Sequence, residues 1–199
     1  VSLIYSSPVA AALFWLTFLA FVVLDGPLVA RGLSGRAVAG SVGQTPGIVH
    51  RPIGLIWLGV GEVVGLAAAA FDPLVLRWRW PLLMVGLAIA CAGLALRFWA
   101  KRVLGRFFVA AVVVQDGHRV VDGGPYAVIR HPGYAGMIAA LLGFGIATAN
   151  PLSMVVLGGV PLWVAVRTIR VEEAALTGAL GEAYVDYARG TDRLLPRVW

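Results

Sequence analysis

YAGMIAALLGFGIATANPLSMVVLGGVPLWVAV, residues 134–166, is the stretch on which the fold turns. It holds two uncharged runs, 134–149 and 152–166, joined only by Asn150-Pro151. A hydrocarbon core of about 30 Å needs about 20 apolar residues per helix, and so short a connection leaves an antiparallel helical hairpin with its turn at a membrane face. Working outward, run 81–96 is uninterrupted and ends in Arg97-Phe98-Trp99-Ala100-Lys101-Arg102; run 53–71 is broken only by Glu62. Run 8–24 has Thr17 as its one polar residue and ends at Asp25-Gly26-Pro27, where the first helix is expected to stop. It reads as a span and not as a secretory signal, because residues 1–7 carry no basic residue. Five spans result.

Composition agrees. Of 199 residues, 60% are hydrophobic and 13% charged, and the mean hydropathy is +0.87, values that exclude an ordinary soluble enzyme. Five helices use about half the chain, so no separate soluble domain of normal size remains. The net charge of +6 is explained by a bilayer before nucleic acid. Cys91 is the single cysteine, which excludes an intrachain disulfide and a thiolate metal cluster; no metal site is expected.

Basic residues orient the chain, because cytoplasmic loops carry the Lys/Arg excess. With the amino terminus outside, the inner segments hold Arg31, Arg36 and Arg51, then Arg97, Lys101, Arg102, Arg106, Arg119 and Arg130, then Arg167, Arg170, Arg189, Arg193 and Arg197. The outer side keeps only Arg77 and Arg79. The expected architecture is an all-α integral membrane protein of five transmembrane helices, N-terminus outside and C-terminus cytoplasmic. Its last two spans form a hairpin followed by a cytoplasmic tail helix.

Two inner segments are long enough to build a site. In 101–132 the β-branched run 109–114 precedes Gln115-Asp116-Gly117, a hairpin signal that an irregular interfacial loop satisfies equally well. In the tail, Ile169, Glu173, Leu176, Leu180, Tyr184 and Tyr187 recur at steps of three or four and share one helical face. Glu172 is turned about 100° from that face. Gly178 and Gly181 are candidate breaks, and Pro161 is a candidate kink within the fifth span. Asp25 is expected to cap a loop or meet Arg31.

The densest set of reactive residues is Gly123-Gly124-Pro125-Tyr126-Ala127-Val128-Ile129-Arg130-His131-Pro132-Gly133-Tyr134-Ala135-Gly136. Pro132 suits a helix start, whose free N–H groups and positive dipole end attract a carboxylate or phosphate. Arg130, His131, Tyr126 and Tyr134 stand beside it. Interfacial anchoring accounts for the arginine and the tyrosines equally well. Glu172-Glu173 reads either as solubilising charge paired with Arg167 or Arg170, or as acceptors for a ligand's ammonium or ribose hydroxyls. Glu62, near the middle of the second span, is a site candidate because an ionisable group there is costly; between Gly61 and Gly65 it equally suits a protonated contact with another helix.

Taken together, Gly-Pro-Tyr (124–126), Arg-His-Pro-Gly-Tyr-Ala-Gly (130–136) and the tail from Glu172-Glu173 through Leu176, Gly181-Glu182-Ala183-Tyr184-Val185-Asp186-Tyr187 to Arg193-Leu194-Leu195-Pro196 resemble the isoprenylcysteine carboxyl methyltransferase group and its phospholipid methyltransferase relatives. The resemblance spans about half the chain and divides it into a three-span region, 1–96, on the expected substrate side, and a cofactor-binding core, 97–199. It implies S-adenosylmethionine as cofactor, with S-adenosylhomocysteine as product. Carried over residue by residue, it implies cofactor contacts from Tyr126, His131, Pro132, Tyr134, Gly136, Glu172, Glu173, Tyr184 and Tyr187. Arg130, Arg167 and Glu173 are implied as catalytic residues, with Arg167 on the acceptor side; Glu62, outside the resemblance, is expected on the acceptor side from its costly place in the second span alone.

The expected function is therefore methylation of a lipidated or amphiphilic acceptor, an isoprenylcysteine-like carboxylate first and a phospholipid or other amine second. Expected partners are the bilayer and a lipophilic or prenylated acceptor, with no nucleic acid. The expected location is a prokaryotic plasma membrane, with the active site facing the cytoplasm. Two other classes compete: an NADPH-dependent sterol-type reductase, with a similar carboxyl-terminal arrangement, and a non-enzymatic transporter or scaffold. Against the last, polar residues collect at one membrane face and do not line a path across.

Overall fold

The structure is a computed structural model that describes residues 2–33, 51–70, 74–109 and 117–199. Among the described residues seven α-helices follow in order: α1 (Leu3–Ser6), α2 (Pro8–Leu33), α3 (Arg51–Ala68), α4 (Arg79–Leu104), α5 (Pro132–Ala147), α6 (Pro151–Leu180) and α7 (Glu182–Arg189). Short 3₁₀ turns occupy Gly105–Phe107 and Gly124–Ala127. Among the described residues there is no strand beyond one parallel bridge, Ile129 to Asp192. The expected hairpin around Asp116 falls on residues 110–116, which lie outside the described residues.

Among the described residues three segments, Pro8–Pro27, Arg79–Phe107 and Pro151–Leu180, are long and apolar enough to cross a membrane, while Gly54–Ala68 and Pro132–Ala147 are shorter apolar helices. Many of their large side chains face outward, among them Leu16, Val23, Val63, Val85 and Val155, as helices immersed in hydrocarbon require. Such helices gain little from one another's apolar surface, so association rests on close packing. The sequence supplies the means with glycines. Gly86 and Gly93 of α4 face Gly143 and Gly136 of α5, and a Cβ on Gly93 would stand 2.5 Å from the Ala140 nitrogen and 2.6 Å from the Gly136 oxygen. The two backbones touch. Beside this contact, Phe144 packs edge-on against Phe14, Phe18 and Phe21 of α2, with ring centroids 5.2–6.0 Å apart.

The hairpin expected at Asn150-Pro151 is present, and its tip is bonded to α3 and to Ser2. Asn150 caps α6, accepting from the Leu152 and Ser153 amides, and donates to the Ala68 carbonyl at 2.9 Å. Ser153 donates to Gly65 at 2.7 Å, and Ser2 to Thr148 at 2.7 Å. These side chains satisfy carbonyls at helix ends that would otherwise lack partners.

Two expectations are corrected. Helix α2 does not stop at Asp25-Gly26-Pro27 but runs through Pro27 to Leu33. Asp25 does not form a loop cap; it is buried and paired with Arg97 of α4 at 2.7 Å, while the Arg31 side chain lies outside the described residues. The stop signal weighs residues by their behaviour in water, whereas here the carboxylate turns inward to a cation and the helix continues. Pro161 is likewise contained within an unbroken α6. The chain does break at Gly181, where φ is +59° and only glycine is free of strain.

Candidate functional site

Helix α6 has 30 residues, about 45 Å at 1.5 Å per residue, so its final turns outrun a hydrocarbon core of about 30 Å. Those turns carry Glu172 and Glu173. Beyond Gly181 the chain reverses into α7, and residues 191–194 then run alongside 128–131. The amides of Arg130 and His131 donate to the Asp192 and Arg193 carbonyls at 2.7 and 3.0 Å. Leu194 anchors this strap by packing with Ala165 and Ile169 of α6.

Glu173 sits where these segments converge. Its Oε1 accepts from Arg130 Nε at 2.8 Å and its Oε2 from Arg193 Nε at 2.7 Å. His131 Nε2 lies 3.4 Å from Oε1, outside hydrogen-bond alignment. The other end of the Arg130 guanidinium donates to the carbonyls of Ala188 and Thr191, tying the start of α5 to the end of α7. Glu172 is engaged as well, accepting from the Tyr134 hydroxyl at 3.1 Å. Tyr187 donates to the Tyr126 carbonyl at 2.8 Å, and the Tyr184 and Tyr187 ring centroids are 6.0 Å apart.

Two buried polar atoms in this region have no hydrogen-bond partner: His131 Nε2 and the Tyr184 hydroxyl. Both residues are 5% exposed. A buried polar group without a partner costs about 1–3 kcal/mol, so their coincidence beside Glu173 marks a place suited to a polar ligand. Burial raises the Tyr126 and Tyr184 hydroxyls well above the ordinary phenol range, with Glu172 adding to the effect at both and Glu173 at Tyr184. Tyr187 is pushed up to about 12, chiefly by burial. All three are neutral donors near pH 7.

Of the residues singled out in the sequence, Tyr126, Arg130, His131, Tyr134, Glu172, Glu173, Tyr184 and Tyr187 are brought to this one end of the molecule. Pro132 begins α5, and its ring is buried. Gly136 packs against α4, where a Cβ would lie 2.7 Å from the Arg97 nitrogen. Arg167 is exposed and lies over the Trp163 ring, 4.5 Å from its centroid, and Glu62 is half-buried on α3; neither joins the Glu173 cluster. Sequence reasoning missed the roles of Arg193, Thr191 and the Asp25–Arg97 pair. The available signal for the last was an acid and a base each set within an apolar helix, where partners are expected.

The fold and this end-cluster define an integral membrane protein whose polar chemistry gathers at one end of its closing helical hairpin. Residues 84–178 match the isoprenylcysteine carboxyl methyltransferase (ICMT) family. It is 31% identical over 123 residues to a "Probable protein-S-isoprenylcysteine O-methyltransferase" of Oryza sativa subsp. indica, covering 61% of this chain and 64% of that protein. It is also 31% identical over 126 residues to the "Cobalt-zinc-cadmium resistance protein CzcN" of Cupriavidus metallidurans, covering 61% and 52%. The solved structure titled as the eukaryotic intramembrane Ras methyltransferase ICMT superposes with a TM-score of 0.62 at 27% identity, over 75% of this chain and 54% of that one. The chain therefore spans less than two thirds of the length of these relatives.

Proposed function

We propose that this protein is an S-adenosylmethionine-dependent methyltransferase of the membrane, acting on a lipidated or amphiphilic acceptor, with an isoprenylcysteine-like carboxylate favoured over a phospholipid or other amine. The observation that carries this reading is the pair of unpartnered buried atoms, His131 Nε2 and Tyr184 Oη, at the same end of the molecule as Glu173. Such a donor and acceptor set fits the ammonium, carboxylate and ribose groups of the cofactor. Tyr126, His131, Pro132, Tyr134, Gly136, Glu172, Glu173, Tyr184 and Tyr187 are the residues assigned to hold it.

When bound, the cofactor supplies a methyl group already activated as a sulfonium. The chain's own task is then to orient the acceptor and exclude water. A carboxylate acceptor is ionised at neutral pH and needs no base, which suits a site whose glutamates already accept from Arg130, Arg193 and Tyr134. An amine acceptor would need one of those carboxylates to take up a proton. This contrast favours the carboxylate. Arg130 is assigned to hold the charge geometry around Glu173, and Arg167 and Glu62 to the acceptor side. The names of the plant relatives support prenylcysteine as acceptor class.

The reading includes five spans, with the short α3 and α5 crossing a locally thinned or tilted region, the amino terminus outside and the site at the cytoplasmic leaflet. It also includes the division into 1–96 and 97–199, and a prokaryotic plasma membrane. A polar cofactor arriving from the cytoplasm and an acceptor arriving through the bilayer both reach that leaflet. Calorimetry on the purified protein in detergent tests the reading: binding of S-adenosylhomocysteine is expected. Binding of NADPH instead would turn the case to a reductase, and binding of neither to a transporter or scaffold. Single-cysteine labelling in a Cys91→Ser background tests the orientation, with positions near Arg193 expected to react only from the cytoplasmic side.

A further inference from the structure

Helix α2 lies outside the matched residues 84–178, yet it is linked to the first turn of α5. Arg97 of α4 donates through Nε to both Asp25 oxygens at 2.7 Å, and through its Nη1 to the Gly133 carbonyl at 2.6 Å. Both charged side chains are about one-tenth exposed. Lys101, one turn on, donates to the Leu24 carbonyl at 3.3 Å, and Phe108 closes the guanidinium's flank, 5.5 Å from ring centroid to Cζ.

We infer that Asp25 is a positioning residue: by holding the Arg97 guanidinium inward it keeps the start of α5, and with it His131 and Tyr134, in register with the tail carboxylates. The physical reason lies in what Arg97 does without a partner. It stands near the cytoplasmic end of α4, and a long cationic side chain so placed extends toward headgroups and water when nothing retains it. The carboxylate of Asp25 makes the inward arrangement the favoured one, and only inward can Nη1 reach Gly133. The Gly133 carbonyl has a second lone pair free for that bond. Two residues earlier stands His131, and one residue later Tyr134. A residue of the amino-terminal region thus sets the geometry at the opposite half of the chain.

The ligand-binding arm of the test rests on the cofactor reading above; the exchange arm does not. The full chain in detergent is compared with Asp25→Asn, Asp25→Glu and the double variant Asp25→Asn/Arg97→Gln. Hydrogen exchange of the amides over 133–136, S-adenosylhomocysteine affinity and Tm are measured for each. Asp25→Asn should speed exchange over 133–136 at least tenfold with α3 unchanged, and weaken affinity at least fivefold; Asp25→Glu should recover part of both. The double variant removes the buried charge entirely, so its Tm should return toward wild type while exchange and affinity stay impaired. If the double variant restores all three, Asp25 only neutralises a charge and the inference is overturned. Wild-type exchange in Asp25→Asn overturns it equally. A wild-type protein that binds no S-adenosylhomocysteine refutes the cofactor reading, and the exchange measurements then decide the role of Asp25 alone.

Discussion

Arg130 and Glu173 are 43 residues apart in sequence, and the guanidinium of one meets the carboxylate of the other at 2.8 Å. Arg193 closes on the same carboxylate from the other side at 2.7 Å. The end of α6 is thereby tied through one side chain to the approach to α5 and to the terminal strap, two segments that are already joined to each other by the backbone bonds of Arg130 and His131. Loss of that side chain leaves two cations facing each other, so both site geometry and stability depend on it.

Glu173→Ala and His131→Ala should each weaken S-adenosylhomocysteine binding at least tenfold, about 1.4 kcal/mol, as read by calorimetry. Glu173→Ala should also lower Tm, because Arg130 loses its carboxylate while buried. Wild-type affinity in both variants, with the fold intact, would remove the site from this end of the molecule.

Tyr184→Phe separates the two quantities. The Tyr184 hydroxyl is buried without a partner, so its removal should leave the free protein as stable or more stable, by about 1 kcal/mol. The same change should weaken cofactor binding about fivefold, if the hydroxyl awaits a ligand. Equal losses of stability and binding would instead point to a partner within the protein.

Gly93→Ala tests the contact between α4 and α5. Its new methyl would stand 2.5 Å from a backbone nitrogen, and backbone cannot yield as a side chain can; a loss of about 1–3 kcal/mol is expected. Gly159→Ala meets nothing within 4 Å and should be neutral or stabilising by up to about 1 kcal/mol through helix propensity. Thermal unfolding in one detergent compares them, and similar Tm values for the two variants would contradict the packing described.

Tyr187, held at about 12 by burial, with Asp122 acting in the same direction and Arg130 and Thr191 against it, gives a pH dependence. The folded-state value lies above the unfolded one of about 10, so its contribution to stability is complete below about pH 10 and disappears as pH rises through about 12. Ultraviolet titration should show Tyr187 ionising later than a free tyrosine, and Tyr187→Phe should flatten the alkaline fall in stability. An ordinary phenol titration at this position would show the residue to be solvated.

Much of this was legible from residue order because hydrocarbon imposes a simple rule: each crossing segment must be apolar and must satisfy its own backbone. The runs around α2, α3, α4, α5 and α6, the turn at Asn150 and the break at Gly181 follow from that rule and from glycine's freedom of φ. The motif around His131 and the carboxylates at the end of α6 were each singled out for a local reason, a helix start rich in donors and a helix end rich in acceptors, and were joined as a pair by the family resemblance alone. Asp25-Gly26-Pro27 misled because its residues report what they do in water, and the deciding partner, Arg97, is 72 positions away.

The order of amino acids by itself determined that the chain is helical, where its apolar runs begin and end, and which chemical groups are available. It did so through short-range physics: backbone satisfaction, apolar length and turn geometry. Only the tertiary structure decided that Glu173 meets Arg130 and Arg193, that Glu172 meets Tyr134, that Arg167 and Glu62 stand apart, and that Asp25 faces inward. Those outcomes depend on which helix faces touch, and the touching faces are fixed by glycine-to-glycine contact and charge pairing between segments far apart in the chain, to which local patterning is blind.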